Sequence, residues 1–228
     1  MRVDVWSDLV CPWCYLGKIR LDRALAAFGH AVEVVHHSFQ LDPTTPRPPR
    51  QRVVEHLGEK YGGGEAAGRE MVQRVTDLAA EEGIAFRLAE APAANTFDAH
   101  RLLHLALAEG GPARQGALVE ALFAAYFQHA EDPSDSDVLT RVAVGAGLAA
   151  DRVAEVLASE EFAPDVGADQ AAARELGVGG VPFYVVAGRY GLSGAQPTEV
   201  FAQVLERAWS ESGSGTPPDS DRTPSARR

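Results

Sequence analysis

Cys11 and Cys14 are the only two cysteines in 228 residues, and they stand two positions apart in Cys11-Pro12-Trp13-Cys14. Thiols at this spacing can close and reopen a disulfide, the chemistry of thiol–disulfide exchange. Other uses of the pair fit less well. Zinc would ask for four ligands, and there is no second cysteine pair. His36 and His37 are adjacent, so on a strand they point to opposite faces. His100 and His104 lie one helical turn apart but lack the spacing of a zinc finger. A structural disulfide closing so short a loop would constrain the unfolded chain little. Two inert core thiols would not explain why the pair sits at a helix start.

That helix start follows from the flanking residues. Val3-Asp4-Val5-Trp6 alternates as a strand does. Tyr15 through Phe28 reads as a helix, with Leu16, Ile19, Leu21, Leu25 and Phe28 mostly on one side and Gly29 as its stop. Pro12 fits the first turn, where its missing N–H costs nothing. The unpaired N–H groups and the positive dipole end are therefore expected to stabilise a thiolate at Cys11.

The rest of the chain supplies the frame. Val32 to Phe39 predicts a second strand, followed by a loop through Pro43, Pro46, Pro48 and Pro49. A strand–helix–strand order favours a parallel pair. From Val53 to Leu176 the signals are helical: Glu65 to Glu82, Thr96 to Glu109, Pro112 to about Ala130, and helices capped at Asp135 or Ser136 and begun at Asp151 and Asp165. Ile84 to Leu88 alternates and is expected to be extended. Gly62-Gly63-Gly64 is a loop; no Gly-Lys-Ser/Thr follows to make it a phosphate cradle. Val181 to Val186 and Tyr190 to Ser193 form a hairpin, and Pro197 to Trp209 a last helix. With the helical block removed, the order is that of a thioredoxin fold. The expected class is α/β: a thioredoxin-like fold interrupted by an all-helical insertion. Residues 1–50 and 166–210 would be the two parts of the thioredoxin-like domain, 51–165 the insertion, and 211–228 a disordered tail.

Composition sets outer bounds. Hydrophobic residues make up 46% and charged residues 23%, ordinary for a globular protein. A net charge of −11 argues against nucleic acid and anionic membranes as main partners. There is no apolar run of bilayer length, and Met1-Arg2 leads into the first strand without a signal-peptide pattern. A cytoplasmic location is expected. Dithiols there tend to be kept reduced, so a bulk oxidant role is disfavoured.

Four blocks resemble DsbA-family thiol–disulfide oxidoreductases of the FrnE type: Ser7 to Gly17, Asn95 to Leu102, Gly177 to Phe183 and Gly191 to Gln196. They occur in the family's order across residues 1–209. More distant relatives are 2-hydroxychromene-2-carboxylate isomerase and the kappa-class glutathione transferases, which carry serine where this chain has Cys11. The resemblance implies oxidoreductase or isomerase activity on disulfide-bearing or thiol substrates, protein or small molecule. It implies no cofactor beyond the Cys11–Cys14 pair, with glutathione as a candidate co-substrate.

The resemblance also assigns roles. An exposed Cys11 would attack, and a more buried Cys14 would resolve the mixed disulfide. Pro12 tunes the pair. Trp13 offers a flat apolar surface or simply packs. Val181-Pro182 matches the cis-proline loop that faces the dithiol and pairs with an extended substrate. Asn95, His100 and Arg101 border the site and would bind a polar substrate, although Asn95 also reads as a helix cap. Thioredoxins and DsbA proteins carry a buried carboxylate on the first strand, where this chain has Val5. Asp8 is expected to be more solvated, influencing the thiols or capping the cysteine helix. Two other readings remain at this stage. One is a glutathione-dependent isomerase or transferase acting on a small aromatic or polyketide-like molecule. The other is a non-enzymatic metal-binding module.

Overall fold

The computed structural model describes residues 1–213. Strand β1 (Arg2–Ser7) leads into helix α1 (Pro12–Phe28), which ends at Gly29 with φ 74°, and the chain returns as β2 (Glu33–Ser38). β1 and β2 are parallel, with Val5 opposite His36. The last part adds α7 (Ala163–Glu175), β3 (Phe183–Val186), β4 (Tyr190–Ser193) and α8 (Thr198–Gly213). Positive φ at Ala187 and Gly188 turns the β3–β4 hairpin. The sheet order is β2-β1-β3-β4, with β3 antiparallel to both neighbours. This is a thioredoxin-like sheet interrupted by an all-helical insertion. α8 continues through 211–213, so the helix takes in the first residues of the expected tail. Residues 214–228, the rest of the segment expected to be disordered, lie outside the described residues.

The insertion contains α2 (Val53–Tyr61), α3 (Gly64–Glu81), α4 (Phe97–Phe123), α5 (Ser136–Gly145) and α6 (Ala150–Leu157). α4 breaks at Gly111, whose φ of 67° lets Pro112 restart the helix, as the sequence predicts. Asp135 caps α5 by accepting from the Asp137 and Val138 N–H groups. Ile84 to Leu88 is not a strand. The Ile84 N–H closes the end of α3 on Ala79 O, the Arg87 N–H bonds Phe127 O, and Phe86 turns inward.

α1 is buried on two faces rather than along the single stripe expected. Its first turns, with Cys11, Cys14, Tyr15 and Leu16, pack into the core of the insertion. Its last turns, with Leu21, Ala24 and Phe28, pack on the sheet and α8. Tyr15 makes the joint: its ring stacks 4.9 Å from Phe123 and 5.9 Å from Phe86. Buried aromatic area of this kind contributes about 2–3 kcal/mol per ring. It fixes the cysteine helix against the insertion.

The outer margin of β2 is satisfied by side chains. Gln115 of α4 accepts from the His36 N–H at 2.9 Å and donates to His36 O at 2.8 Å. Asp169 of α7 accepts from the Ser38 N–H at 2.8 Å. His37, on the opposite face from His36, lies between Asp169 and Asp4 at 2.7 and 2.8 Å, with Trp6 stacked on its ring at 4.5 Å.

Burial pulls the His37 pKa down, but the bonds and charges of Asp169 and Asp4 outweigh it and the net shift is upward. Burial pushes the Asp169 carboxyl up, and His104 and His37 outweigh it, so its net shift is downward. A histidine raised on folding stabilises below its unfolded pKa of about 6.5, and that contribution is lost as pH rises through the folded value. The lowered Asp169 contributes above about pH 4 and loses its contribution on acidification. Denaturant unfolding of wild type and His37→Gln should therefore differ more near pH 6 than near pH 9. An equal difference at both would show that His37 carries no charge in the folded protein.

Candidate active site

The end of β1 sets the position of both sulfurs. The Cys11 N–H bonds Asp8 O at 3.1 Å, which turns the chain into α1. Cys11 is the N-cap residue, with φ −90° and ψ 112°, and Pro12 occupies the first helical turn. Cys14, one turn on, donates its N–H to Cys11 O at 3.0 Å. No side chain caps α1, and Cys11 occupies the N-cap position at the positive end of its dipole.

Cys11 is not exposed as expected: 3% of its surface is accessible, against 2% for Cys14. The cause is the loop before β3. Val181 leans over the helix start, and the Cys11 thiol donates to Val181 O at 3.6 Å. The Val181–Pro182 peptide is cis. Cys11 lines a groove of about 450 Å³ together with Trp13, Val181, Leu41, Leu57 and Tyr61. Cys14 does not line that groove. Burial first, then the neighbouring Cys11 thiol, push the Cys14 pKa well up.

The groove has an apolar rim. Trp13, Leu41 and Tyr61 are three of the five large hydrophobic residues that stand exposed among the described residues. Trp13, at 45% exposure, is therefore a surface platform rather than packing. A second cavity of about 300 Å³ opens beside it, sharing Val10, Leu41 and Tyr61 and reaching Asp8, His56, Lys60 and Thr96.

Asp8 is buried, not solvated, and does not cap α1. One carboxylate oxygen accepts the Leu41 N–H at 2.7 Å, pinning the chain beyond β2. The other lies 3.5 Å from His100 Nε2. His100 is fully buried behind Asp8, so it supports the site from beneath and does not meet a substrate in the groove.

Asn95 and Arg101 are likewise removed from the groove. Asn95 accepts the Phe97 N–H at 3.0 Å and donates to Pro43 O and Thr45 O at 3.2 and 2.9 Å. The N-cap of α4 is Thr96, so Asn95 stands one residue before the helix, where it braces the first turn and fastens the proline-rich loop. Arg101 donates to Glu161 O and Ser159 O at 2.8 and 2.5 Å, to Val156 O, and to Asp98 at 2.9 Å. These bonds close the end of α6 and the turn into α7. Burial and multiple backbone partners make both residues structural. Cys11, Cys14, Pro12, Trp13, Val181 and Pro182 do gather around the thiol pair, with Asp8 one layer below.

Two further side chains, Tyr184 and His36, line a small cavity with Cys14. Tyr184 on β3 is fully buried, and its hydroxyl packs against Gly17 of α1. A Cβ at Gly17 would lie 2.2 Å from that oxygen and 3.2 Å from Pro182 Cγ. A glycine inside a helix normally costs about 1 kcal/mol, so Gly17 was the available signal that another element approaches there. The second is His36 of β2, also buried, and nothing local in the sequence marks it.

The comparisons agree with this architecture. A family model for the DSBA-like thioredoxin domain matches residues 2–206. Among solved structures, a probable DsbA oxidoreductase from Streptomyces coelicolor is 45% identical, with a TM-score of 0.84, covering 95% of this chain and 92% of that one. A 2-hydroxychromene-2-carboxylate isomerase is similar in fold, at 18% identity and a TM-score of 0.71 over 95% of this chain and 100% of that one. The cytosolic disulfide reductase DsbM from Pseudomonas aeruginosa, solved with GSH, shares the fold at 16% identity and a TM-score of 0.66, over 92% and 100% of the two chains. The search of curated proteins returned no match. With a thioredoxin-like sheet, a helical insertion and a family match spanning nearly all described residues, the chain belongs to the DSBA-like thioredoxin domain family.

Proposed function

We propose that this protein is a thiol–disulfide oxidoreductase or isomerase whose reactive groups are Cys11 and Cys14. The observation that carries the reading is the unequal placement of two neighbouring thiols. One lines a groove at a helix N-terminus, and the other lies beneath it with a raised pKa.

Cys11, as the thiolate, attacks a substrate disulfide that enters the groove. The old S–S bond breaks, the departing sulfur takes the electron pair and then a proton, and a mixed disulfide with Cys11 remains. Cys14 then loses its proton and attacks Cys11 Sγ. The substrate's second sulfur leaves, and the Cys11–Cys14 bond closes. The substrate disulfide has been reduced and the protein dithiol oxidised. The reverse sequence oxidises a substrate dithiol.

The Val181 backbone offers an extended chain an edge to pair with, and Trp13, Leu41 and Tyr61 offer it apolar contacts. That combination suits a disulfide-bearing polypeptide. Glutathione is the proposed small-thiol co-substrate, the thiol pair is the sole redox group, and the cytoplasm is the proposed location. Among the described residues no helix is long and apolar enough to cross a membrane.

Replacing Cys14 with alanine should stop the reaction at its midpoint. Incubated with a disulfide-linked peptide, Cys14→Ala should accumulate a covalent adduct on Cys11, close to one per protein and reversed by dithiothreitol. Wild type should show only a transient adduct. Intact-protein mass spectrometry reads both. If Cys14→Ala forms no adduct, Cys14 is not the resolving thiol.

A further inference from the structure

Cys14 can resolve a mixed disulfide only after losing a proton, yet it is buried with its pKa raised. The structure offers that proton one route. A small cavity of about 10 Å³, separate from the groove, is lined by Cys14, Tyr184 and His36 together with Lys18 and Asp22. Its remaining walls are Ser7 and the apolar Val5, Leu21, Val34 and Phe123.

Two polar atoms in this wall have no hydrogen-bond partner: Tyr184 Oη and His36 Nδ1. An unpaired buried polar atom costs about 1–3 kcal/mol, so two around one cavity ask for a shared partner. The volume is about that of a single water, and such a site needs two to four polar contacts. At the far end Lys18 is held by Asp22 at 2.7 Å and Glu120 at 2.8 Å, and the Asp22 side chain is half exposed.

We infer that one water molecule, held by Tyr184 Oη and His36 Nδ1, takes the proton from Cys14 and passes it toward the Lys18–Asp22 pair and solvent. The inference rests on the oxidoreductase reading above. The Cys14 S–H bond breaks, and its proton moves onto the water as one of the water's own protons passes to the Asp22 carboxylate, whose half-exposed side chain returns it to solvent. The sulfur's electron pair forms the bond to Cys11 Sγ as the substrate sulfur leaves. His36 acts by position, not as the base. Burial first, then Lys18 and His37, lower its pKa to about 3, so it stays neutral while orienting the water. Gly17 is part of the device, because any side chain there would displace the Tyr184 hydroxyl.

The test separates the two steps of one turnover. Reduced protein is mixed with a disulfide-linked peptide, quenched with acid at intervals, and scored by mass for mixed disulfide and for closed Cys11–Cys14. Tyr184→Phe, which removes only the unpaired hydroxyl, and His36→Leu should form the mixed disulfide within about twofold of wild type. Both should close it at least about tenfold more slowly near pH 7. The deficit should shrink toward pH 10, where hydroxide removes the Cys14 proton directly. The double variant should be no slower than the slower single, since both hold the same water. The other ionisable groups acting on Cys14, His36 and Tyr184 are Asp8 and Cys11 at the helix start, Lys18, Arg20 and Asp22 along α1, and His37 on β2. All are unchanged in the variants, so the difference between pH profiles reports the water site. Closure at the wild-type rate across the pH range, or equal slowing of both steps, would overturn the relay alone. A wild-type protein that forms no mixed disulfide would overturn the oxidoreductase reading and the relay with it.

Discussion

Cys11→Ser is expected to reduce disulfide exchange to the uncatalysed background, a loss of at least about a thousandfold. A serine hydroxyl cannot form the mixed disulfide, and it is not ionised at neutral pH. The fold should be untouched, because Cys11 contributes one weak sulfur contact to Val181 O and the oxygen occupies less space. An insulin-reduction or scrambled-disulfide assay reads the loss, and circular dichroism checks the fold. This variant also decides against the main rival. A glutathione-dependent isomerase or transferase would use a bound thiol in place of Cys11. If Cys11→Ser turned over a small electrophile with glutathione at an undiminished rate, the groove would belong to that chemistry.

The second large effect is on stability. Arg101→Met is expected to lower unfolding free energy by about 3–5 kcal/mol, the range for breaking a buried charged cluster from one side. For a domain of this size the melting temperature should fall by about 10 °C. The guanidinium satisfies the Val156, Ser159 and Glu161 carbonyls and Asp98 together. Methionine keeps much of the stem's packing and none of the donors. Arg101→Lys should recover only part of the loss, because one ammonium cannot reach four acceptors in a planar fork. A Tm within about 2 °C of wild type for Arg101→Met would show that water replaces the donors. The initial rate of the folded variant, normalised to Cys11, should stay near wild type, which distinguishes a structural arginine from a substrate-binding one.

Residues whose placement follows from near neighbours were legible in the sequence. The Cys11–Cys14 pair at a helix start, the Gly29 stop, the break at Gly111-Pro112 and the Asp135 cap each depend on a few adjacent positions. The parallel β1–β2 pair follows from the helix between them. What failed depends on distant packing. Asp8 looks solvated by its place at a turn, but the chain after β2 folds over it. Cys11 looks open at a helix tip, but the loop carrying Val181 arrives from the far end of the sequence. His100 and Arg101 stand in a block that resembles the family's site. Their burial depends on how α4 lies against β2 and α6, which the periodicity of α4 does not encode. Val5 leaves the first strand without the family's carboxylate; Tyr184 and His36, opposite Val5 on the two neighbouring strands, line the cavity beside Cys14 together with Ser7.

The side-chain caps on β2 bear on how copies of the chain behave when crowded. An uncovered strand margin can template a foreign strand and seed fibrils. Here Gln115 and Asp169 occupy the outward amides of His36 and Ser38, so runaway stacking cannot begin from those positions. The opposite margin is β4, four residues long with a glycine inside it, a poor seed by length and by composition. Neither margin of this sheet gives an exposed foreign strand much to grow on.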